Sequence, residues 1–215
     1  MDGVLVDSMP LHFRSWQSLV ARHRVAIGRR ELRELIDARR NVEIIPILFG
    51  RSLHSKDVQA LVREKEGGYQ RLAAQGMPEV PGARDFLERA SRAGVPLALA
   101  TAAGEGNVRL VLDEMGFRRY FRVVVTARDV VKGKPDPEVY YRAAEGLSLR
   151  ARDCLVVEDS VLGVRAARAS GASCLALRTS HSARVLKEAG ANWVGGSFLK
   201  LPAVVERRVF GTAPE

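Results

Sequence analysis

Residues 154–171 read CLVVEDSVLGVRAARASG, and their pattern decides the fold class. The run CLVV is apolar at every position, so a strand built from it must be covered on both faces. That is the pattern of a parallel sheet packed between helices. Glu158 and Asp159 stand where this strand ends, and the spacing beyond them predicts a helix over 161–169. By itself the acidic pair could be a helix cap and first-turn acid, favoured by the helix dipole.

The same alternation extends in both directions. A helix over 83–93 precedes VPLALAT (95–101), and one over 107–115 precedes FRVVVTA (121–127). A helix after Pro137 leads to DCLVVED (153–159), and the helix over 161–169 leads to ASCLALR (172–178). A further helix over 183–188 comes before NWVGG (192–196), and VFGTAPE (209–215) reads as a frayed tail. Strands alternating with helices predict an α/β fold, a doubly wound parallel sheet with right-handed crossovers.

Residues 10–75 differ. Apolar residues recur there at three- and four-residue spacing: Leu11, Trp16, Leu19 and Val20, then Leu32, Leu35 and Ile36, then Val58, Leu61 and Val62. GMPEVPG (76–82), with its two prolines and two glycines, closes this helical stretch. Before it, Val4-Leu5-Val6 reads as the end of a buried strand of the same sheet, although a strand normally takes about 5–6 residues. The expected architecture is therefore an α/β core over 1–9 and 80–215, with an all-helical domain over 10–79 inserted after strand one.

Composition narrows the function classes. No apolar run approaches the ~18 residues of a membrane span, and no leader pattern opens the chain. The two cysteines, Cys154 and Cys174, lie in strand-like runs and read as reduced thiols of a cytoplasmic protein. The formal net charge is +9, but the arginines are scattered and aromatics make up only 6 % of the chain. Without aromatics interleaved among the basic residues there is no stacking surface for nucleic acid, and the charge reads as solvated surface.

In open parallel sheets, ligands bind at the carboxyl ends of the strands. Those ends carry Asp2-Gly3, Thr101, Lys134 and Glu158-Asp159. Each alone has an ordinary explanation: a Thr after a strand is a turn or cap residue, and a Lys in a Gly/Pro loop is solvated. Together, two acids suit Mg²⁺, which takes oxygen ligands. Lys134 and Thr101 suit a phosphoryl group whose charge must be held.

At this point the chain resembles the haloacid dehalogenase superfamily, in its phosphatase-like branch that includes β-phosphoglucomutase. The motifs that carry the resemblance are DGVLVDS, ALATAAG, GKPDP and LVVEDSVLGVRAARASG, and MPLHFRSW matches the approach to an inserted helical cap. The resemblance implies a Mg²⁺-dependent phosphatase acting on a small phosphorylated metabolite, such as a sugar phosphate or phosphoglycolate, through an aspartyl-phosphate. It makes Asp2 the general acid/base and, through its backbone carbonyl, a metal ligand. Asp159 becomes a direct ligand and Glu158 a direct or water-bridged one. Thr101 and Lys134 hold phosphoryl oxygens, and Lys134 also offsets repulsion between the carboxylates.

Gly3, His12, Trp16, Ala102, Arg40 and Asn41 fall at substrate-facing positions of the resemblance. Trp16, on an apolar helical face, reads more as core than as a substrate contact, and Ala102 offers only its backbone amide. Where β-phosphoglucomutases carry Lys-Gly and then Arg in the cap loop, this chain has Asp37-Ala38 and then Asn41, with Arg39 or Arg40 as substitute phosphate contacts. That favours the phosphatase over the mutase. The first motif normally reads Asp-x-Asp-Gly, and here Met1 occupies the x, so the nucleophilic Asp falls one position before Met1. The chain as it stands is expected to have little phosphatase activity, either because its start is misplaced or because it is an inactive phosphate-binding variant. The first is the expectation. A monomer or weak homodimer is expected, with no nucleic acid or membrane partner.

Overall fold

The computed structural model describes residues 1–36, 39–50 and 52–211. The chain forms two compact units: Ser8–Pro78, and Met1–Asp7 together with the chain from Glu79 onward.

The Ser8–Pro78 unit is helical: α1 (Met9–Arg22), α2 (Arg29–Leu35), α3 (Asn41–Phe49) and α4 (Ser55–Ala73). On α1 the apolar spacing puts Phe13, Trp16, Leu19 and Val20 on one buried stripe. They share a core with Leu32, Ile36, Ile44 and Ile45. Burying each such side chain contributes about 1.5–3 kcal/mol, so this face holds the helices together.

In the other unit the helices are α5 (Ala83–Arg92), α6 (Glu105–Arg109), α7 (Glu138–Gly146), α8 (Val161–Ala169), α9 (Ala183–Glu188) and α10 (Ala203–Phe210). The strands are β1 (Ala98–Ala100), β2 (Val123–Val125), β3 (Leu155–Glu158), β4 (Ser173–Leu177) and β5 (Trp193–Gly195). These strands pair in parallel, β1 with β2 and β4 between β3 and β5. Helix α6 continues as a wider π-helical turn over Leu110–Glu114. Packing is close where α7 crosses β2: a Cβ on Gly146 would stand 2.8 Å from a Val123 methyl. Both cysteines are free, and burial pushes the Cys174 thiol up to about 12.

Three details depart from the sequence reading. The parallel strands form two sheets, β1-β2 and β3-β4-β5. Val4, Leu5 and Val6 are buried but form no strand. They make a tight turn, in which the Leu5 N–H donates to the Met1 carbonyl at 2.7 Å and the Gly3 N–H to the Val6 carbonyl at 2.8 Å. Gly3 permits it, with φ +65°. An apolar triplet marks burial, and a buried turn satisfies that as well as a strand does. Finally, Val209 and Phe210 end α10 instead of fraying, because the Phe210 ring packs edge-on against Phe86 at 5.7 Å.

Candidate active site

The carboxyl end of β3 holds the most tightly knit polar cluster. Glu158 and Asp159 are both buried. Lys134 donates to Glu158 Oε1, and both side chains are only 7 % exposed. Tyr140 on α7 donates its hydroxyl to the same oxygen. On the other side, Glu158 Oε2 accepts from Ser160 Oγ at 3.0 Å and from the Asp159 N–H at 3.2 Å. Burial would raise the Glu158 pKa, but the Lys134 charge and the bonds from Lys134 and Tyr140 overcome it and hold the carboxyl at about 2. Desolvation, and then the Glu158 charge, push the Tyr140 phenol well above its ordinary value.

Local sequence explains this arrangement. Ser160 is the N-cap of α8, its hydroxyl accepting from the Gly163 N–H at 3.0 Å while it also donates to Glu158. Gly163 leaves the room Glu158 occupies: a Cβ there would lie 2.1 Å from the carboxyl carbon. Lys134 comes from the loop before α7, and its peptide bond to Pro135 is cis.

Asp159 faces the N-terminal turn. A Cβ on Gly3 would lie 1.9 Å from Asp159 Oδ2, so only glycine lets that carboxylate press against the backbone beside Asp2. Ser180 donates to the same carboxylate oxygen, and Thr179 Oγ1 donates to the Gly3 carbonyl. The Met1 amine is nearby: burial lowers its pKa while the charges of Asp2 and Glu158 push it back up. Asp2, Gly3, Lys134, Glu158 and Asp159 thus gather at one rim. Thr101 is buried at the end of β1, where its hydroxyl accepts from the Ala103 N–H at 3.1 Å, and Ala102 follows it in the same turn.

The donors at this rim are oxygens, which is the chemistry Mg²⁺ takes. Among the described residues, however, no group of three or more His, Cys, Asp and Glu side chains is gathered to hold a metal ion. The rim fits Mg²⁺ in donor type, and it needs backbone oxygen or a further carboxylate to complete the ligand set.

Within the helical unit a second cluster forms around Lys65, which is 2 % exposed. Its ammonium lies 2.8 Å from His12 Nδ1 and 2.9 Å from Glu66 Oε1. The His12 ring stacks on Tyr69 with centroids 3.8 Å apart. Asn41 donates to Glu66. Arg40 sits at the start of α3 and forks onto Glu43, while Arg39 donates to the Leu35 carbonyl at 2.8 Å. Trp16 is 2 % exposed within the helical core, with Lys65 above its ring. Asp37 and Ala38 lie outside the described residues.

Sequence reasoning passed over Tyr140, Thr179, Ser180 and Lys65. Thr179 and Ser180 follow β4, whose carboxyl end could have been included with the other strand ends. Tyr140 and Lys65 sit on amphipathic helices, where pattern alone marks them as core aromatic and surface charge.

Comparison with known proteins then places the chain. A family model described as a haloacid dehalogenase-like hydrolase matches residues 1–171. The chain belongs to this family of hydrolases. It is 30 % identical over 194 residues to a phosphorylated carbohydrates phosphatase from Thermotoga maritima, covering 89 % of each chain. It is 26 % identical over 177 residues to the β-phosphoglucomutase of Bacillus subtilis, covering 80 % of this chain and 77 % of the relative. The crystal structure of CbbY from Rhodobacter sphaeroides in complex with phosphate superposes with TM-score 0.81 at 28 % identity, over 94 % of this chain and 93 % of that one. Among the described residues no helix is long and apolar enough to cross a membrane.

Proposed function

We propose that this rim serves a Mg²⁺-dependent phosphatase acting on a small phosphorylated metabolite of the sugar phosphate class. The observation that carries the reading is the buried Lys134–Glu158 pair beside an Asp159 pressed onto Gly3, next to Asp2. A cation and two acids held this rigidly cost desolvation energy that a purely structural cluster has little reason to bear.

In this reading a carboxylate one position before Met1 attacks phosphorus. Its P–O bond forms as the bond to the leaving oxygen breaks, and Asp2 gives that oxygen a proton. Asp2 then takes a proton from the water that opens the aspartyl-phosphate. Lys134 and Thr101 hold phosphoryl oxygens, Thr101 by its hydroxyl and Ala102 by its amide. Asp159, Glu158 and the Asp2 carbonyl would hold the ion, which when bound neutralises phosphoryl charge. The Thermotoga relative, a phosphorylated carbohydrates phosphatase, supports the substrate class.

A sugar phosphomutase is the second reading, favoured by the Bacillus relative. Asp37-Ala38 and Asn41 stand against it, since mutases carry Lys-Gly and Arg there.

The test extends the chain by an apolar segment ending in Asp directly before Met1. Release of phosphate from p-nitrophenyl phosphate and a panel of sugar phosphates is the expected result. It should be lost with EDTA and in the Asp2→Asn variant. No release in the presence of Mg²⁺ would overturn the reading, and bisphosphate-dependent isomer exchange without net phosphate would transfer it to the mutase.

A further inference from the structure

The turn that follows β4, residues 178–182, reaches two other parts of the site at once. It is fixed at both ends. The Arg178 N–H donates to the Gly195 carbonyl at 2.9 Å, and Ser182 is the N-cap of α9. Between these anchors Thr179 Oγ1 donates to the Gly3 carbonyl, 176 residues away in sequence. The next residue, Ser180, donates its hydroxyl to Asp159 Oδ2, 21 residues away. Two adjacent hydroxyls thus tie the end of β4 to the N-terminal turn and to the end of β3.

Helix capping does not account for them. Ser182 already caps α9, its hydroxyl accepting from the Val185 N–H. Thr179 and Ser180 are both half-buried, and each spends its hydroxyl on a distant partner. A hydroxyl donating to a carboxylate makes a charge-assisted bond, about twice as strong as one between neutral groups. The oxygen that Ser180 holds, Asp159 Oδ2, is also the one that faces Gly3, where an added Cβ would lie 1.9 Å from it. Packing on Gly3 limits where Oδ2 can go, and the Ser180 bond fixes it there. With Oδ2 fixed, the plane of the carboxylate and the direction of Oδ1 follow. Thr179 does the same for the backbone. Gly3 turns the chain with φ +65°, and holding its carbonyl fixes the peptide plane beyond that turn.

We propose that Ser180 and Thr179 are positioning residues, Ser180 aiming the Asp159 carboxylate and Thr179 holding the turn that carries Asp2, so that the oxygens offered to a divalent cation are set before it arrives. Partners of this kind, which bind a ligand and not the ion, typically change metal affinity by about 10–100-fold when removed. The cation role rests on the phosphatase reading, whereas the two hydroxyl contacts stand without it.

The test titrates Mg²⁺ alone into the chain and into Ser180→Ala and Ser180→Thr variants, followed by isothermal calorimetry. Ser180→Ala should weaken Mg²⁺ binding by about tenfold or more. Ser180→Thr, which keeps the hydroxyl, should restore most of the affinity, a rescue that a merely structural role would not produce. Thr179→Val keeps the shape of the side chain and removes its donor. Without metal, amide exchange at Gly3 and Leu5 should then quicken by roughly three- to tenfold, the worth of one hydrogen bond. Equal Mg²⁺ affinity in parent and Ser180→Ala, or no Mg²⁺ binding by the parent, would overturn the role of Ser180. Unchanged exchange in Thr179→Val would overturn that of Thr179. Phosphate release from the extended chain judges the phosphatase reading separately, so the failure of one is distinguishable from the failure of the other.

Discussion

Replacing Gly163 with alanine should separate two opposing effects. At a helix position with open space, Gly→Ala stabilises by about 1 kcal/mol through helix propensity. Gly163 has no such space: the added Cβ would lie 2.1 Å from Glu158 Cδ and Oε2 and 2.4 Å from Oε1. Glu158 cannot simply rotate away, because Lys134, Tyr140 and Ser160 all hold its carboxylate. Pushing it out breaks a buried charge pair, a loss of about 3–5 kcal/mol. Subtracting the propensity gain leaves a net destabilisation of roughly 2–4 kcal/mol. At about 2–4 °C per kcal/mol for a chain of this size, the thermal midpoint should fall by about 4–16 °C. The control is Gly67→Ala in α4, where the nearest atom is 3.5 Å away at the flexible end of Arg71, and the midpoint should hold or rise. Differential scanning calorimetry of both variants decides the matter. A Gly163→Ala protein as stable as the parent would refute the close-packed Glu158 cluster.

Lys134→Met leaves the Glu158 carboxylate buried without its cation and should cost about 3–5 kcal/mol, read from the shift in urea midpoint at constant slope. Acid should weaken the fold through the same group. Glu158 is held at about 2 in the native protein against an ordinary 4.5, so the unfolded chain takes up its proton first. Its contribution is whole above pH 4.5 and is lost as pH falls toward 2. The stability difference between parent and Glu158→Gln should shrink over that range, and a difference that stays constant would count against the assignment.

Much of this protein is written locally. The apolar run before Glu158-Asp159, the helix over 161–169 and the punctuation at 76–82 depend on neighbours along the chain, and short-range pattern captures them. Asp2, Lys134, Glu158 and Asp159 could be grouped in advance because parallel topology brings strand ends and the loops beyond them to one edge. Other features needed the third dimension. Whether Val4-Leu5-Val6 is strand or turn depends on backbone partners, which hydrophobicity does not encode. That β1 and β3 belong to separate sheets reflects which edges find a neighbour, a property of no single segment. Tyr140, Ser180 and Lys65 acquire their roles from groups 18, 21 and 53 residues away. Sequence pattern reports which residues avoid water. Only folding decides which polar groups must share the interior, because that depends on distances between parts of the chain that periodicity cannot relate.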